Sequence, residues 1–147
     1  MKHEFSAGGV VFKKEKGSIL VLLGKHSQNK SWAFPKGLIG DTYQNESKEA
    51  TAVREVLEET GVEAVILKPL ASSTYWYQWE DEQIKKTVYY FLMEAIKEDF
   101  TKRDGEMEEV LWLPQKEVKG KLTYPGDKKI WEEAQKEIQT WAGIGSA

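Results

Sequence analysis

The chain has 147 residues, of which 40% are hydrophobic and 31% charged, and a formal net charge of -3, the profile of one globular domain spanning residues 1–147. With no cysteine and only His3 and His26 as histidines, a disulfide framework, a thiolate nucleophile, a zinc–thiolate site and a multi-histidine metal site are excluded. The acidic balance argues against DNA or an RNA backbone as partner, so any polyanionic substrate must be met by local lysines, arginines or a bound cation.

In chain order, Phe5 to Phe12 reads as a strand in which Gly8 and Gly9 mark a bulge or a close backbone approach. Ile19 to Leu23 is a continuous apolar run, predicting a strand buried on both faces. A polar loop from Lys25 to Ser31 leads to Trp32-Ala33-Phe34, which stops at Pro35-Lys36-Gly37. Leu38 to Asn45 reads as a loop. Ser47 to Thr60 is the clearest helix, with Ser47 as its N-cap, Gly61 closing it, and Ala50, Val53 and Leu57 as the expected core face. Val62 to Leu67 reads as a strand, and Thr74 to Trp79 and Thr87 to Ala95 as two strands around the polar turn Glu80-Asp81-Glu82. Val110 to Leu113 is a further short strand, Pro114 to Val118 opens a short helix, and Tyr124 to Asp127 signals a turn. Lys128 to Trp141 is amphipathic, with Ile130, Ala134, Ile138 and Trp141 on one stripe. The mixture predicts an α/β fold, a mixed sheet covered by helices. No apolar run approaches the roughly 18 residues of a membrane span, and the first residues carry no signal-peptide core. No membrane association and a cytoplasmic location are the expectations.

The sharpest feature is Arg54-Glu55-Val56-Leu57-Glu58-Glu59-Thr60-Gly61. At about 100° per residue, Glu55, Glu58 and Glu59 fall within one arc of the helix, directed away from the expected core stripe. Like charges at this spacing repel and call for a cation: Arg54, a divalent ion, or both. Without histidine or cysteine, hard oxygen donors favour magnesium, with manganese as a substitute. On their own these residues fit a solvated acidic face as readily as a metal site. The upstream residues separate the two.

Gly40, Glu46, Arg54, Glu55, Val56, Glu58, Glu59, Gly61 and Val62 fit the pattern G-x5-E-x7-R-E-U-x-E-E-x-G-U, where U is apolar. This resembles the Nudix box, the signature of the Nudix hydrolase family. The resemblance implies an α/β/α sandwich with a mixed sheet and a catalytic loop–helix–loop. It implies magnesium-dependent hydrolysis of a phosphoanhydride in a nucleoside diphosphate derivative, with Glu55, Glu58 and Glu59 as metal ligands. Arg54 would orient those carboxylates, and Glu46 would join the acidic cluster or support Arg54. The family's box glycine usually sits in Pro-Lys-Gly, here Gly37, which is expected to hold that structural place; Gly40 has the matching spacing, so the choice between the two for the backbone carbonyl that serves as a metal ligand stays open. The general base is a box glutamate or Glu106, six residues before Trp112.

The resemblance extends to Phe5–Phe12, Trp32–Gly37, Tyr75-Trp76-Tyr77, Lys86–Leu92 and Tyr124–Trp131, which look like the diadenosine tetraphosphate hydrolase branch. That branch implies cleavage of diadenosine tetraphosphate to ATP and AMP. Related branches remove oxidised nucleoside triphosphates, hydrolyse RNA 5′-pyrophosphate or act on diphosphoinositol phosphates. A domain of another class, a nucleotide sensor without catalysis, usually lacks the box glutamates. Lys36 and Lys86, with Lys85 and His26 nearby, are candidates to bind phosphate. Tyr77 and Tyr124 are candidates to clamp a base by stacking, at roughly 1–3 kcal/mol per base. Trp76, Trp112 and Trp131 are expected in the core. The chain alone leaves monomer and homodimer both open.

Overall fold

The computed structural model describes residues 2–40 and 44–145, with side chains as far as Trp141. Two long strands, β1 (Lys2–Glu15) and β7 (Glu82–Glu98), form its centre. They run parallel in continuous register from Lys2 opposite Ile84 to Phe12 opposite Glu94. Each is longer than either neighbour on its outer edge. The first half of β1 pairs with β4 (Lys36–Leu38) and its second half with β2 (Ser18–His26). Likewise β7 pairs first with β6 (Ser73–Trp79) and then with β5 (Val62–Pro69). One half of the sheet therefore reads β4-β1-β7-β6 and the other β2-β1-β7-β5. Beyond β2 lie β3 (Trp32–Ala33) and β8 (Met107–Pro114).

Alternation along the central strands sends side chains to two cores. Ala7, Val11, Phe91 and Met93 pack under α1 (Lys48–Thr60) with its Ala52 and Val56. Val10, Phe12, Val88, Tyr90 and Leu92 pack on the opposite face against Ile130, Trp131, Ala134 and Ile138 of α3 (Pro125–Gly145), with Val118 of α2 (Gln115–Lys121). A mixed sheet lies between helices, as expected. Gly8 is a close approach: a Cβ there would lie 2.2 Å from the Pro35 oxygen and 2.5 Å from Lys36 Cβ. Among the described residues no helix is long and apolar enough to cross a membrane.

The α1 helix is capped as its sequence predicts: Ser47 Oγ accepts from Ala50 N at 3.1 Å, and Gly61 takes φ 80°. Its core face differs from the expectation. Ala50 is exposed and Leu57 is 44% exposed, whereas Ala52 and Val56 are fully buried and Thr51, Glu55, Glu59 and Thr60 are buried beside them. Of the three expected core residues Val53 packs against the sheet-side core, while the buried stripe is centred on Ala52 and Val56 and leaves Ala50 and Leu57 outside. Two of the glutamates belong to the buried side of the helix rather than to a face turned away from it.

Other boundaries also move. The turn expected at Tyr124–Asp127 is the start of α3, because proline is preorganised for a first helical turn, where its missing N–H costs nothing. The hairpin turn is Glu80-Asp81, both at positive φ, the backbone of a two-residue connection between twisted strands. Trp131 is core at 1% exposure and Trp112 is partly buried, but Trp76 is 48% exposed on the edge strand β6. The expected loop Leu38–Asn45 contributes Leu38 to β4, and its residues 41–43 lie outside the described residues.

Candidate active site

The site begins where the Pro35-Lys36-Gly37 turn crosses α1. Lys36 N donates to Glu59 Oε1 at 3.1 Å. Gly37 faces the next carboxylate along the helix: a Cβ on it would sit 2.1 Å from Glu55 Cδ and 2.2 Å from Oε2. Gly40 has φ 84° and nothing within 4 Å of a notional Cβ. The geometry thus sets Gly37, and not Gly40, against the carboxylates.

Arg54 organises the acidic cluster from the side. Its Nε and Nη2 donate to the two oxygens of Glu46 at 2.9 and 2.8 Å. Its Nη1 donates to Glu55 Oε1 at 2.9 Å and to Glu58 Oε2 at 2.7 Å. The forked guanidinium is suited to such multiple contacts. Thr51 Oγ1 also donates to Glu46, at 2.7 Å, and Arg54 holds the Glu46 carboxyl below its ordinary range. Glu46 supports Arg54, which in turn orients Glu55 and Glu58.

Glu59 is 2% exposed, and burial pushes its carboxyl up to about 9, with Glu106 and Glu55 adding to the effect and the Lys36 N–H opposing it. Glu106 lies within hydrogen-bond reach of Glu59. It reaches that position through a loop fastened at several points. Asp104 N donates to Glu58 O at 2.7 Å, Ser27 N donates to Glu106 O at 3.0 Å, and Glu106 N donates to Asp104 Oδ1 at 3.0 Å. Arg103 spans the same loop, donating to the carbonyls of Phe100, Met107 and Glu108.

Among the described residues no three acidic or histidine side chains already converge as a metal cage; Glu55 and Glu58 meet at Arg54 Nη1, and Glu59 is held by the Lys36 N–H. The donor set still fits a hard divalent cation. It offers carboxylate oxygens and a close glycine backbone with no side chain in the way. The raised Glu59 carboxyl is the response of a buried anion beside other anions with too little positive charge.

Gly37, Glu55, Glu58, Glu59 and Glu106 line a cavity of about 860 Å³ together with His26, Lys36, Lys86, Tyr75, Tyr124 and Asp127, and Arg54 and Glu46 stand behind its wall of carboxylates. Lys86 is half-buried on β7, directly opposite Glu4 on β1 and Tyr75 on β6. Burial and the nearby Lys36 lower the Lys86 ammonium. His26 is lowered as well, chiefly by burial and then by Lys36.

Two expected residues fall elsewhere. Lys85 belongs to the other face of the sheet, where its ammonium sits 5.6 Å from the Trp76 ring. Tyr77 shares the cavity's sheet face but is not among the lining residues; its hydroxyl donates to Glu4. Tyr75, one alternation earlier, takes the lining position, 42% exposed, with Tyr124 43% exposed. Ser6 and Asp127 also line the cavity, outside the expected site residues. Asp127 lay in a segment read as a turn; recognising Pro125 as the first residue of a helix would have placed Asp127 in its first turn.

The layered fold, the glutamate-bearing helix and the loop that crosses it define a Nudix-type domain. The NUDIX domain family model matches residues 2–134, and the chain belongs to that family. It is 32% identical over 151 residues to the mutator-type protein MutT4 of Mycobacterium tuberculosis, covering 99% of this chain and 60% of that protein. It is 34% identical over 99 residues to an 8-oxo-(d)GTP phosphatase of Mycolicibacterium smegmatis, covering 67% of this chain and 28% of that protein. The chain therefore spans less than two thirds of the length of these relatives. A crystal structure of a C. elegans Ap4A hydrolase binary complex superposes with TM-score 0.75 at 21% identity, covering 93% of this chain and 98% of that one. At that identity it shows a shared fold.

Proposed function

We propose that this chain is a divalent-metal-dependent hydrolase of phosphoanhydride bonds in nucleoside polyphosphates. The observation that carries the reading is that one cavity joins three chemistries: the acids Glu55, Glu58, Glu59 and Glu106, the cations Lys36 and Lys86, and the aromatic rings of Tyr75 and Tyr124. A polyphosphate bearing a base needs all three.

Glu55, Glu58 and Glu59 would hold magnesium, with the Gly37 carbonyl beside them; manganese, with similar oxygen preference, would substitute. The cation supplies neutralisation of phosphate charge and acidification of a water. Arg54 keeps Glu55 and Glu58 turned toward one another. Glu106 is placed to accept the proton of the attacking water, which requires that it not share a proton with Glu59. Lys36 and Lys86 bind phosphate oxygens and stabilise the leaving phosphate. Tyr124 and Tyr75 stack on the base, the role first expected of Tyr77 and Tyr124. His26 is in reach of the phosphates from the cavity wall.

Within this class, diadenosine tetraphosphate cleaved to ATP and AMP is the favoured substrate, on the motifs that resemble that branch. The second reading is an oxidised nucleoside triphosphate, favoured by the likeness to the 8-oxo-(d)GTP phosphatase. Magnesium-dependent rates on diadenosine tetraphosphate, 8-oxo-dGTP and triphosphorylated RNA, with products weighed after reaction in oxygen-18 water, separate the substrates and locate the attacked phosphorus. Glu58→Gln should lose nearly all turnover on whichever substrate is used while keeping the wild-type melting curve. Full activity in that variant would refute the assignment.

A further inference from the structure

A strand at the edge of a sheet offers a row of unpaired N–H and C=O groups to any other strand, and proteins blunt such edges with short strands, charges, prolines or bulges. Four edge strands here are blunted in these ways. β3 and β4 have only two and three residues. β5 carries Glu63, Lys68 and Pro69 and breaks register twice against β7. β8 carries Glu108 and Glu109 and ends on Pro114. β6 has none of these devices. Its sequence, Ser-Thr-Tyr-Trp-Tyr-Gln-Trp, includes no charge and no proline. It pairs with β7 without a break, from Ser73 opposite Val88 to Trp79 opposite Glu82. Among the described residues no strand covers its outer side.

The side chains along this edge are aromatic. Tyr75, Trp76 and Trp79 are 42%, 48% and 62% exposed, and Tyr77 is half-buried. Single exposed rings are ordinary; a group of them on one bare edge marks an interaction surface. A second copy of the same strand fits it. Antiparallel pairing about a two-fold axis makes the strand its own complement, and a strand without charge has none to repel its copy. Residues directly opposite one another share a sheet face, so the alternation of β6 is preserved. An axis at Trp76 engages the whole strand from Ser73 to Trp79, whereas moving it to either neighbour leaves the last two residues at one end unpaired. The rings offer on the order of 400 Å² per copy. With the backbone strip the pair buries about 1,000 Å², the lower end for a specific interface.

We propose that β6 pairs antiparallel with β6 of a second copy, centred on Trp76, in a homodimer whose sheet runs through both molecules. Tyr77 of the second copy then stands opposite Tyr75, on the sheet face that borders the cavity. The contact is small, so the dimer is reversible, with a dissociation constant on the order of 10 µM.

Sedimentation equilibrium of the full chain from about 1 to 500 µM tests this, because the wild type should pass from monomer to dimer within that range. Hydrogen exchange at the two ends of the range should show slowed amides over residues 73–79 in the dimer. Trp76→Lys sets two ammonium groups opposite each other and should raise the dissociation constant by about 10-fold or more. Ile96→Lys, at a residue 58% exposed on the far end of β7, should leave it unchanged. A monomer throughout, or a dimer of full strength in Trp76→Lys, overturns the proposal. So does a dimer whose β6 amides exchange as fast as the monomer's, or one weakened equally by Ile96→Lys, since either lies on another surface. The exchange comparison uses the wild type alone and decides the matter even if a variant does not fold.

Discussion

Glu59 holds its proton because burial beside Glu106 and Glu55 penalises the charged form. In the cation-free protein the folded state titrates near 9, against an ordinary value of 4.5. Between these limits the folded state binds a proton that the unfolded chain has released. Its stabilising contribution is complete below about pH 4.5 and declines as pH rises toward 9, by up to about 1.4 kcal/mol per pH unit. Urea midpoints in EDTA should fall across this range, and Glu59→Gln should flatten the slope; equal slopes would rule out Glu59 as the source. Gly37 gives a second test at this scale. Gly37→Ala drives a methyl into the Glu55 carboxylate, and misplacing a catalytic group by about 1 Å can cost about 100-fold in turnover. Gly40→Ala strains a positive φ at about 1 kcal/mol and should leave turnover intact. Reversed outcomes would give Gly40 the box position. Spacing alone could not choose between these glycines, because the choice depends on which one the turn presses against α1.

The helix carrying the carboxylates ends at Gly61, where a side chain would meet the Asp99 carbonyl at 2.0 Å. The same junction starts the loop that carries Glu106, so the helix cap and the candidate base are mechanically joined. Arg103 ties that loop across three carbonyls. Arg103→Ala should speed amide exchange over residues 100–108 and lower kcat more than it raises KM, while α1 stays protected; unchanged exchange would show that the other tethers suffice. Much at this scale was legible in the sequence. The caps of α1, the β6–β7 hairpin and the stripe of α3 follow from local chemistry: a serine hydroxyl, a glycine at positive φ, a repeat of apolar residues. The core face of α1 did not, because Glu55 and Glu59 occupy positions that a hydrophobicity count assigns to solvent. Tyr75 and Tyr77 could be put on one sheet face but not told apart. Which one lines the cavity depends on Glu4, across the sheet, capturing the Tyr77 hydroxyl.

The far end of the α3-side core lies away from the carboxylates, although its Tyr90 lines the cavity. Ile138 is fully buried against the α3 side, and Ile138→Ala should cost about 2–5 kcal/mol. Denaturant melts would show the loss, and kcat per folded molecule should be retained; a matching fall in kcat would mean the α3 core also tunes the site. The division of the long strands has a comparable effect. Most of the residues that line the cavity from the sheet (Ser6, Lys36, Gly37, Leu38, Ser73, Tyr75, Lys86 and Tyr90) come from the half flanked by β4 and β6 or its boundary, while β2 and β3 add His26 and Ala33. Apart from these two residues, the half flanked by β2 and β5 serves as foundation. A hairpin attached along only one side can be exchanged, lengthened or recoloured by mutation without disturbing the foundation or the helix above it. Descendants of such a framework are free to trade one aromatic grip for another, and so to take up new substrates while the bond-breaking apparatus passes on unaltered.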